Sequence, residues 1–208
     1  MCGIYERHVL PWVLDLACGM STVTRQRTQV VPQAVGRVLE IGIGTGLNLA
    51  HYDVVRVESL TGVDPAVQMH RLARRRAERA GLDVELIGLS AEERLPVDDA
   101  SFDTVVMTYT LCSIPDAVAA LREIRRVLAP GGRLLFCEHG RAPDESVQRW
   151  QKRLQPWWGP LAGGCQLGRD IPALLREGGF RADGMQEAYL RGAPRPLTYN
   201  YWGAAVPA

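Results

Sequence analysis

No CxxC pair and no cluster of histidine with cysteine occurs in the chain. The five cysteines, Cys2, Cys18, Cys112, Cys137 and Cys165, are odd in number and widely spaced. That pattern argues against a zinc site or a disulfide framework and for reduced thiols, the state expected of a cytoplasmic protein. No apolar run reaches the roughly eighteen residues that announce a membrane-spanning helix. The N-terminus has no basic region followed by an apolar core and a small-residue cleavage site, so no signal peptide is read there. An excess of one charge is also missing. The 24 Lys and Arg against 23 Asp and Glu leave a formal charge of +1, without the basic surplus of a nucleic-acid binder. Repeats, low-complexity stretches and linkers are absent as well. What remains is a chain of 208 residues, 47% of them apolar, with enough material for one core and one domain.

The periodicity divides that domain into three stretches. Residues 1–35 are helical in character. An apolar segment from Tyr5 to Cys18 is closed by Gly19, and a second helix, capped by Ser21 or Thr22, runs to about Val31 ahead of Pro32. Residues 36–140 alternate strands with helices. Strands are expected over Arg37–Ile41, Leu60–Val63, Asp83–Ile87 (near a sheet edge), Phe102–Met107 and Arg133–Cys137. Between them lie a short helix including Leu47 to Ala50, a helix with Pro65 in its first turn that stops at Gly81, and a helix capped by Asp116. Such alternation implies an α/β fold with a mainly parallel sheet covered on both faces. Residues 141–208 add a helix from Asp144 to Gln155, a rigid aromatic loop Pro156-Trp157-Trp158-Gly159-Pro160, a helix near Arg169–Glu177, and strands over Met185–Leu190 and Leu197–Val206.

Chemistry is concentrated where the first strand ends, in Glu40-Ile41-Gly42-Ile43-Gly44-Thr45-Gly46. Glycines at a strand-to-helix turn let the backbone approach a ligand closely, and free N–H groups there can meet polar or negative atoms. The dinucleotide pattern GxGxxG would need a third glycine where this chain has Leu47, which disfavours a nicotinamide oxidoreductase. Asp64, about twenty residues on, ends the next strand, where a carboxylate can accept from two ribose hydroxyls. It can at the same time serve as an N-cap before Pro65, since both roles can hold together.

This E-x-G-x-G-x-G loop resembles the first motif of class I S-adenosylmethionine-dependent methyltransferases. Ser90-Ala91-Glu92, ahead of Leu95-Pro96, is similar to the D-A-E-x-L-P stretch of quinone-biosynthesis C-methyltransferases, with Ser90 in place of the aspartate. Pro130-Gly131-Gly132-Arg133-Leu134 matches that family's turn before the fifth strand. The resemblance implies a Rossmann-like, seven-stranded sheet whose last strand is antiparallel, with ligands beyond the carboxyl ends of the strands. It also implies S-adenosylmethionine as cofactor, with S-adenosylhomocysteine as product. The cofactor would lie against Glu40, Gly42, Gly44, Gly46, Asp64, Pro65, Ser90, Ala91, Glu92 and Thr108, with Thr108–Cys112 as the floor. Arg25 or Arg27 is a candidate partner for the cofactor carboxylate, or plain surface charge.

For acid–base work the candidates are His139 and Glu138 at the end of the fifth strand, with His8, His51 and His70 behind them. Cys137-Glu138-His139-Gly140, Trp150-Gln151, Pro156-Trp157, Gly164-Cys165 and Arg169 follow one another as in the methyltransferase-like proteins that methylate alkyl thiols, and Tyr5–Val31 looks like their bacterial relatives. The implied activity is methylation of a small, fairly apolar molecule, with a thiol as favoured acceptor. A thiol needs little activation, because its pKa of about 8.5 lies close to neutrality. Trp150, Trp157 and Trp158 can form an acceptor pocket or lid, with Cys165 in its wall, or ordinary packing and interface surface. Two further readings stay open at this point. One is N-, O- or C-methylation of a lipid amine, quinone precursor or secondary metabolite, and the other is a non-catalytic cofactor-binding module. Also open are the oligomeric state and peripheral membrane contact. The N-terminal helices are expected to close over the ligand, since their apolar residues need a surface to pack on. No metal ligand set is read.

Overall fold

The computed structural model describes residues 9–208. His8 and the start of the Tyr5–Cys18 segment lie outside the described residues. Seven strands form one sheet in the order β3-β2-β1-β4-β5-β7-β6. They are β1 (Gly36–Ile41), β2 (Val57–Val63), β3 (Val84–Ile87), β4 (Phe102–Thr108), β5 (Leu128–His139), β6 (Phe180–Tyr189) and β7 (Tyr199–Pro207). Pairs among β1 to β5 are parallel, and β7 runs antiparallel to both its neighbours. The expected Rossmann-like sheet with a reversed last strand is therefore present, and β3 sits at its edge.

Among the described residues six α-helices surround the sheet: α1 (Leu10–Cys18), α2 (Ser21–Val30), α3 (His70–Ala80), α4 (Ala117–Val127), α5 (Glu145–Leu161) and α6 (Ile171–Glu177). The central strands read as near-continuous apolar runs because both faces are covered. Val38 and Leu135 pack on one side with Val30 and Val31, and Leu39, Met107 and Phe136 pack on the other with Leu121 and Ile124 of α4. The chain leaves β1 toward β2 and β3, then returns to lay β4 on the opposite side of β1. Such a reversal opens a crevice at the carboxyl ends of the strands, and ligands bind there in open α/β sheets.

Three local expectations are corrected. The helix expected over Leu47–Ala50 is a run of turns closed by one 3-10 turn, Leu49–His51. Its bonds are of the short i to i+3 kind, from Gly46 N–H to Ile43 C=O at 2.8 Å and from Leu49 N–H to Gly46 C=O at 3.2 Å. Gly44 and Gly46, at φ +52° and +83°, stand where an α-helix would have to begin, so none starts there. Pro65 precedes its helix instead of opening it. The Asp64 carboxylate accepts from Ala66 N–H at 2.8 Å, Ala66 has non-helical ψ, and a 3-10 turn over Val67–Met69 intervenes before α3.

The third correction concerns Pro156–Pro160, expected as a loop and found inside α5. Each proline deletes one donor, yet side chains on one face of the helix hold its course. Gln151 donates to Gly140 C=O at 3.1 Å, and Gln155 bonds both Cys165 C=O at 3.0 Å and Leu167 N–H at 2.7 Å. The helical spacing of 151, 155 and 158 then turns Trp158 inward, while Trp150 and Trp157 remain 54% and 76% exposed. Among the described residues no helix is long and apolar enough to cross a membrane.

Candidate active site

A cavity of about 440 Å³ opens at the carboxyl end of the sheet, within the size range of small-molecule sites. Its floor is the glycine loop with the ends of β1, β2, β4 and β5, and its roof is α1 and α2. Gly42 is indispensable to the floor. It has φ +71°, and a Cβ there would fall 2.1 Å from the Thr110 hydroxyl oxygen, so any side chain would displace the turn after β4. Gly46 faces away from the cavity, where a Cβ would meet Leu49 and the Ala73 backbone of α3. Its function is close packing of loop against helix.

One end of the cavity is charged. Glu40 is buried at the tip of β1, accepting from Asn48 Nδ2 at 3.0 Å and from the Tyr52 hydroxyl at 2.7 Å. Burial raises its carboxyl pKa from 4.5 to about 7, against the opposing pull of those two donors and the Arg27 charge. Asp64 Oδ2 accepts from Gly44 N–H at 2.9 Å, fixing the loop to the end of β2, and burial pushes its pKa upward as well. Arg27 enters from α2, 4% exposed. Its guanidinium donates to Asn48 Oδ1 at 2.9 Å and to the Thr108 hydroxyl, and lies 5.0 Å from the Tyr109 ring centroid. No carboxylate pairs with it among the described residues, and its Nε has no hydrogen-bond partner. A buried, unpaired guanidinium beside a cavity is the kind of group an anionic ligand would satisfy.

The other end is mostly apolar. His139 ends β5 and is 6% exposed, and among the described residues neither ring nitrogen is hydrogen-bonded. The Cys165 thiol faces that ring. Its pKa is drawn below the ordinary thiol value chiefly by the Cys112 thiol, against burial, with His139 and the Trp158 indole assisting. Trp158, Leu161 and Gly163 complete this wall.

The roof is latched to the floor. Asp15 of α1 accepts from the Thr45 hydroxyl at 2.6 Å and from Arg76 at 2.6 and 3.1 Å, and that hydrogen-bonded arginine holds its carboxyl below the usual range. Arg76 also reaches Thr45 C=O at 3.0 Å. A single ion pair thus joins α1, the glycine loop and α3.

Of the residues singled out in the sequence, Glu40, Gly42, Gly44, Asp64, Thr108, His139, Trp158 and Cys165 line this one cavity, together with Arg27. The others stand elsewhere. Pro65 is exposed, Ala91 is core, and Glu92 accepts from Asp116 N–H at 2.8 Å, while Ser90 N–H donates to Glu93 at 3.0 Å. Glu138 lies behind the floor, accepting from Thr110 N–H at 2.9 Å and Cys112 N–H at 3.3 Å. Burial pushes its pKa to about 8 despite those donors, and its position is that of a clamp on the turn after β4. Trp150 and Trp157 face outward, Arg25 is exposed, and His51 and His70 are absent from the lining. Sequence reasoning missed Asn48, which ties Glu40, Thr108 and Arg27 into one network. Its one signal was a polar residue two positions after Gly46. It also missed Asp15, whose partners are remote in sequence.

The residues 39–136 match the family model described as a methyltransferase domain. The chain is 38% identical over 165 residues to thiol S-methyltransferase TMT1B of Rattus norvegicus, an alignment covering 78% of this chain and 65% of that protein. It is 35% identical over 172 residues to thiol S-methyltransferase TMT1B of Homo sapiens, covering 80% and 67%. The chain thus spans about two thirds of the length of these relatives. Among solved structures, that of the trans-methyltransferase CalH in complex with SAH is similar, with 26% identity, a TM-score of 0.63, and coverage of 96% of this chain and 59% of that one.

Proposed function

The chain belongs to the S-adenosylmethionine-dependent methyltransferases, and from that premise we propose that it methylates a small, fairly apolar thiol in the cavity beneath α1 and α2. The observation that carries this reading is the polarity of the cavity, with Glu40, Asp64 and an unpaired Arg27 at one end and His139 among apolar walls at the other.

The charged end fits the cofactor. Arg27 would pair with its carboxylate, Glu40 would face its ammonium group, and Asp64, already oriented by Gly44 and Ala66 N–H, would accept from ribose hydroxyls. Gly42 and Gly44 leave room for the backbone to lie against it. Bound there, S-adenosylmethionine supplies an electrophilic methyl group on a positively charged sulfur. The protein's own part is then to align, dry and deprotonate. The walls around Trp158 and Leu161 exclude water and hold an apolar chain. His139, whose ring nitrogens make no hydrogen bond among the described residues, would accept the proton of an incoming thiol and leave it as the nucleophilic thiolate, held in line by the apolar walls.

The test is transfer of labelled methyl from S-adenosylmethionine to a panel containing butanethiol, thiophenol, phosphatidylethanolamine and a hydroxynaphthoquinone. Label is expected in the two thiols, recovered as methyl sulfides. Label in the lipid amine or the quinone, with none in either thiol, would overturn the assignment of acceptor.

A further inference from the structure

Two of the thiols stand in a relation that methyl transfer does not require. Cys112 lies in the turn after β4 and Cys165 in the loop after α5, and both line the acceptor end of the cavity. The two segments run directly against each other. Gln166 N–H donates to Cys112 C=O at 2.9 Å, and a Cβ on Gly164 would lie 3.5 Å from Ser113 C=O. A backbone bond from the residue next to Cys165 onto Cys112 itself brings the two Cα atoms toward the roughly 4.4–6.8 Å separation that a disulfide spans. Both thiols are free, and each is the largest single influence on the ionisation of the other. The third thiol of the cavity, Cys18, comes from α1 and has no such backbone link to either. Cys137 is buried under the sheet in β5, in a separate cluster.

We propose that Cys112 and Cys165 form a redox-reversible dithiol, closed to a disulfide by hydroperoxides and opened by thiols, in the wall of the acceptor pocket. The chemistry balances with hydrogen peroxide as oxidant. The Cys165 sulfur attacks one peroxide oxygen, giving a sulfenic acid and one water. Cys112 then displaces the hydroxyl from that sulfur, forming the S–S bond and a second water, with both thiol protons carried off in the waters. The division of labour follows from the surroundings. The contacts of Cys165 with Cys112, His139 and Trp158 favour its thiolate, the nucleophilic form, whereas buried Cys112 is held as the thiol, as befits a resolving partner. Once closed, the bond would fasten the 110–113 turn to the 164–166 loop and remove the thiol that faces His139. An acceptor thiol in excess would reopen it by exchange, so the substrate itself would restore the pocket.

The pairing stands on geometry alone, while its effect on turnover rests on the thiol-methylation reading. The experiment separates the two. The full chain is treated with hydrogen peroxide, alkylated, digested without reduction and mapped by mass. A peptide joining Cys112 to Cys165, lighter by two hydrogens than the reduced pair and released by a phosphine, is expected. The oxidised protein should begin methylating butanethiol about tenfold or more slowly than the phosphine-reduced protein, because small displacements beside a reacting centre cost rate steeply. That lag should vanish in Cys165→Ser. Cys165 oxidised alone, or joined to Cys18, would overturn the proposal, as would a Cys112–Cys165 link that leaves the initial rate unchanged. If the reduced protein methylates no thiol, the reading of the acceptor fails, and the peptide map still decides the pair.

Discussion

His139→Ala is expected to slow methyl transfer to butanethiol by about 100-fold, at the lower end of what a positioned general base contributes, with S-adenosylhomocysteine affinity held within about threefold of the parent. The expectation follows from where the ring sits. His139 is buried at the apolar end of the cavity with neither nitrogen bonded among the described residues, whereas the groups read as holding the cofactor, Asp64, Glu40 and Arg27, cluster at the other. A second acceptor separates a base from a mere wall. Thiophenol is more acidic than butanethiol and arrives largely as thiolate, so it has less need of a proton acceptor. The penalty of the substitution should therefore shrink markedly with thiophenol. An equal loss on both thiols would assign the histidine to packing, and retention of full rate on both would remove it from the reaction. The measurement is kcat and KM for each thiol on both proteins.

Arg27→Met should weaken S-adenosylhomocysteine binding by about 100-fold or more, since removing one partner of a buried charge pair costs about 2–5 kcal/mol. It should do so without lowering the thermal midpoint of the ligand-free protein. That second half is the discriminating one. Among the described residues the Arg27 guanidinium is a buried cation with no carboxylate partner and an unsatisfied Nε, and replacing buried ionic groups with apolar chains of similar size is often neutral or stabilising. The acceptors it would abandon have a substitute, because the Thr108 hydroxyl already donates to Asn48 Oδ1 at 3.3 Å. Glu40, whose pKa Arg27 pulls down against burial, can remain protonated when that charge is gone. Calorimetric titration and a thermal melt on the same preparations read both halves. Affinity within about threefold of the parent would show that the cofactor carboxylate lies elsewhere. A collapse of the ligand-free midpoint would make Arg27 a structural residue.

Strands and their ends were legible in the sequence because the sheet is covered on both faces. Such strands are short apolar runs, most of them stopped by glycine or aspartate, and the residues at the strand ends, Glu40, Asp64, Thr108 and His139, reach the cavity. The glycine loop was legible for a related reason. Positive φ at Gly42, Gly44 and Gly46 is a demand only glycine meets without strain. Less visible was whatever depends on partners far along the chain. The Asp15–Arg76 pair that latches the roof joins residues with no local pattern between them, and Arg27 was distinguishable from Arg25 only once the rotation of α2 was known. Pro156 and Pro160 misled in the opposite direction. Proline is a strong local signal for a break, and it was overridden by two glutamines that pin α5 to the loops beside it, Gln151 to Gly140 and Gln155 to Cys165 and Leu167. Ser90, Ala91 and Glu92 matched a family motif by position, yet in this chain their contacts are with Glu93, the core and the start of α4.

The proposed place of cofactor binding and methyl transfer is the space between the glycine loop and the α1–α2 roof. Hydrogen exchange of the intact protein, with and without saturating S-adenosylhomocysteine, tests it most directly, because the roof and the loop are separate peptides in the readout. Slowed exchange on binding is expected in both the 10–30 segment and the 42–48 loop, with the outward-facing 149–153 stretch of α5 unchanged. Binding that protects the loop and leaves residues 10–30 exchanging as before would contradict the roofed chamber, and an absence of protection anywhere would contradict the site itself.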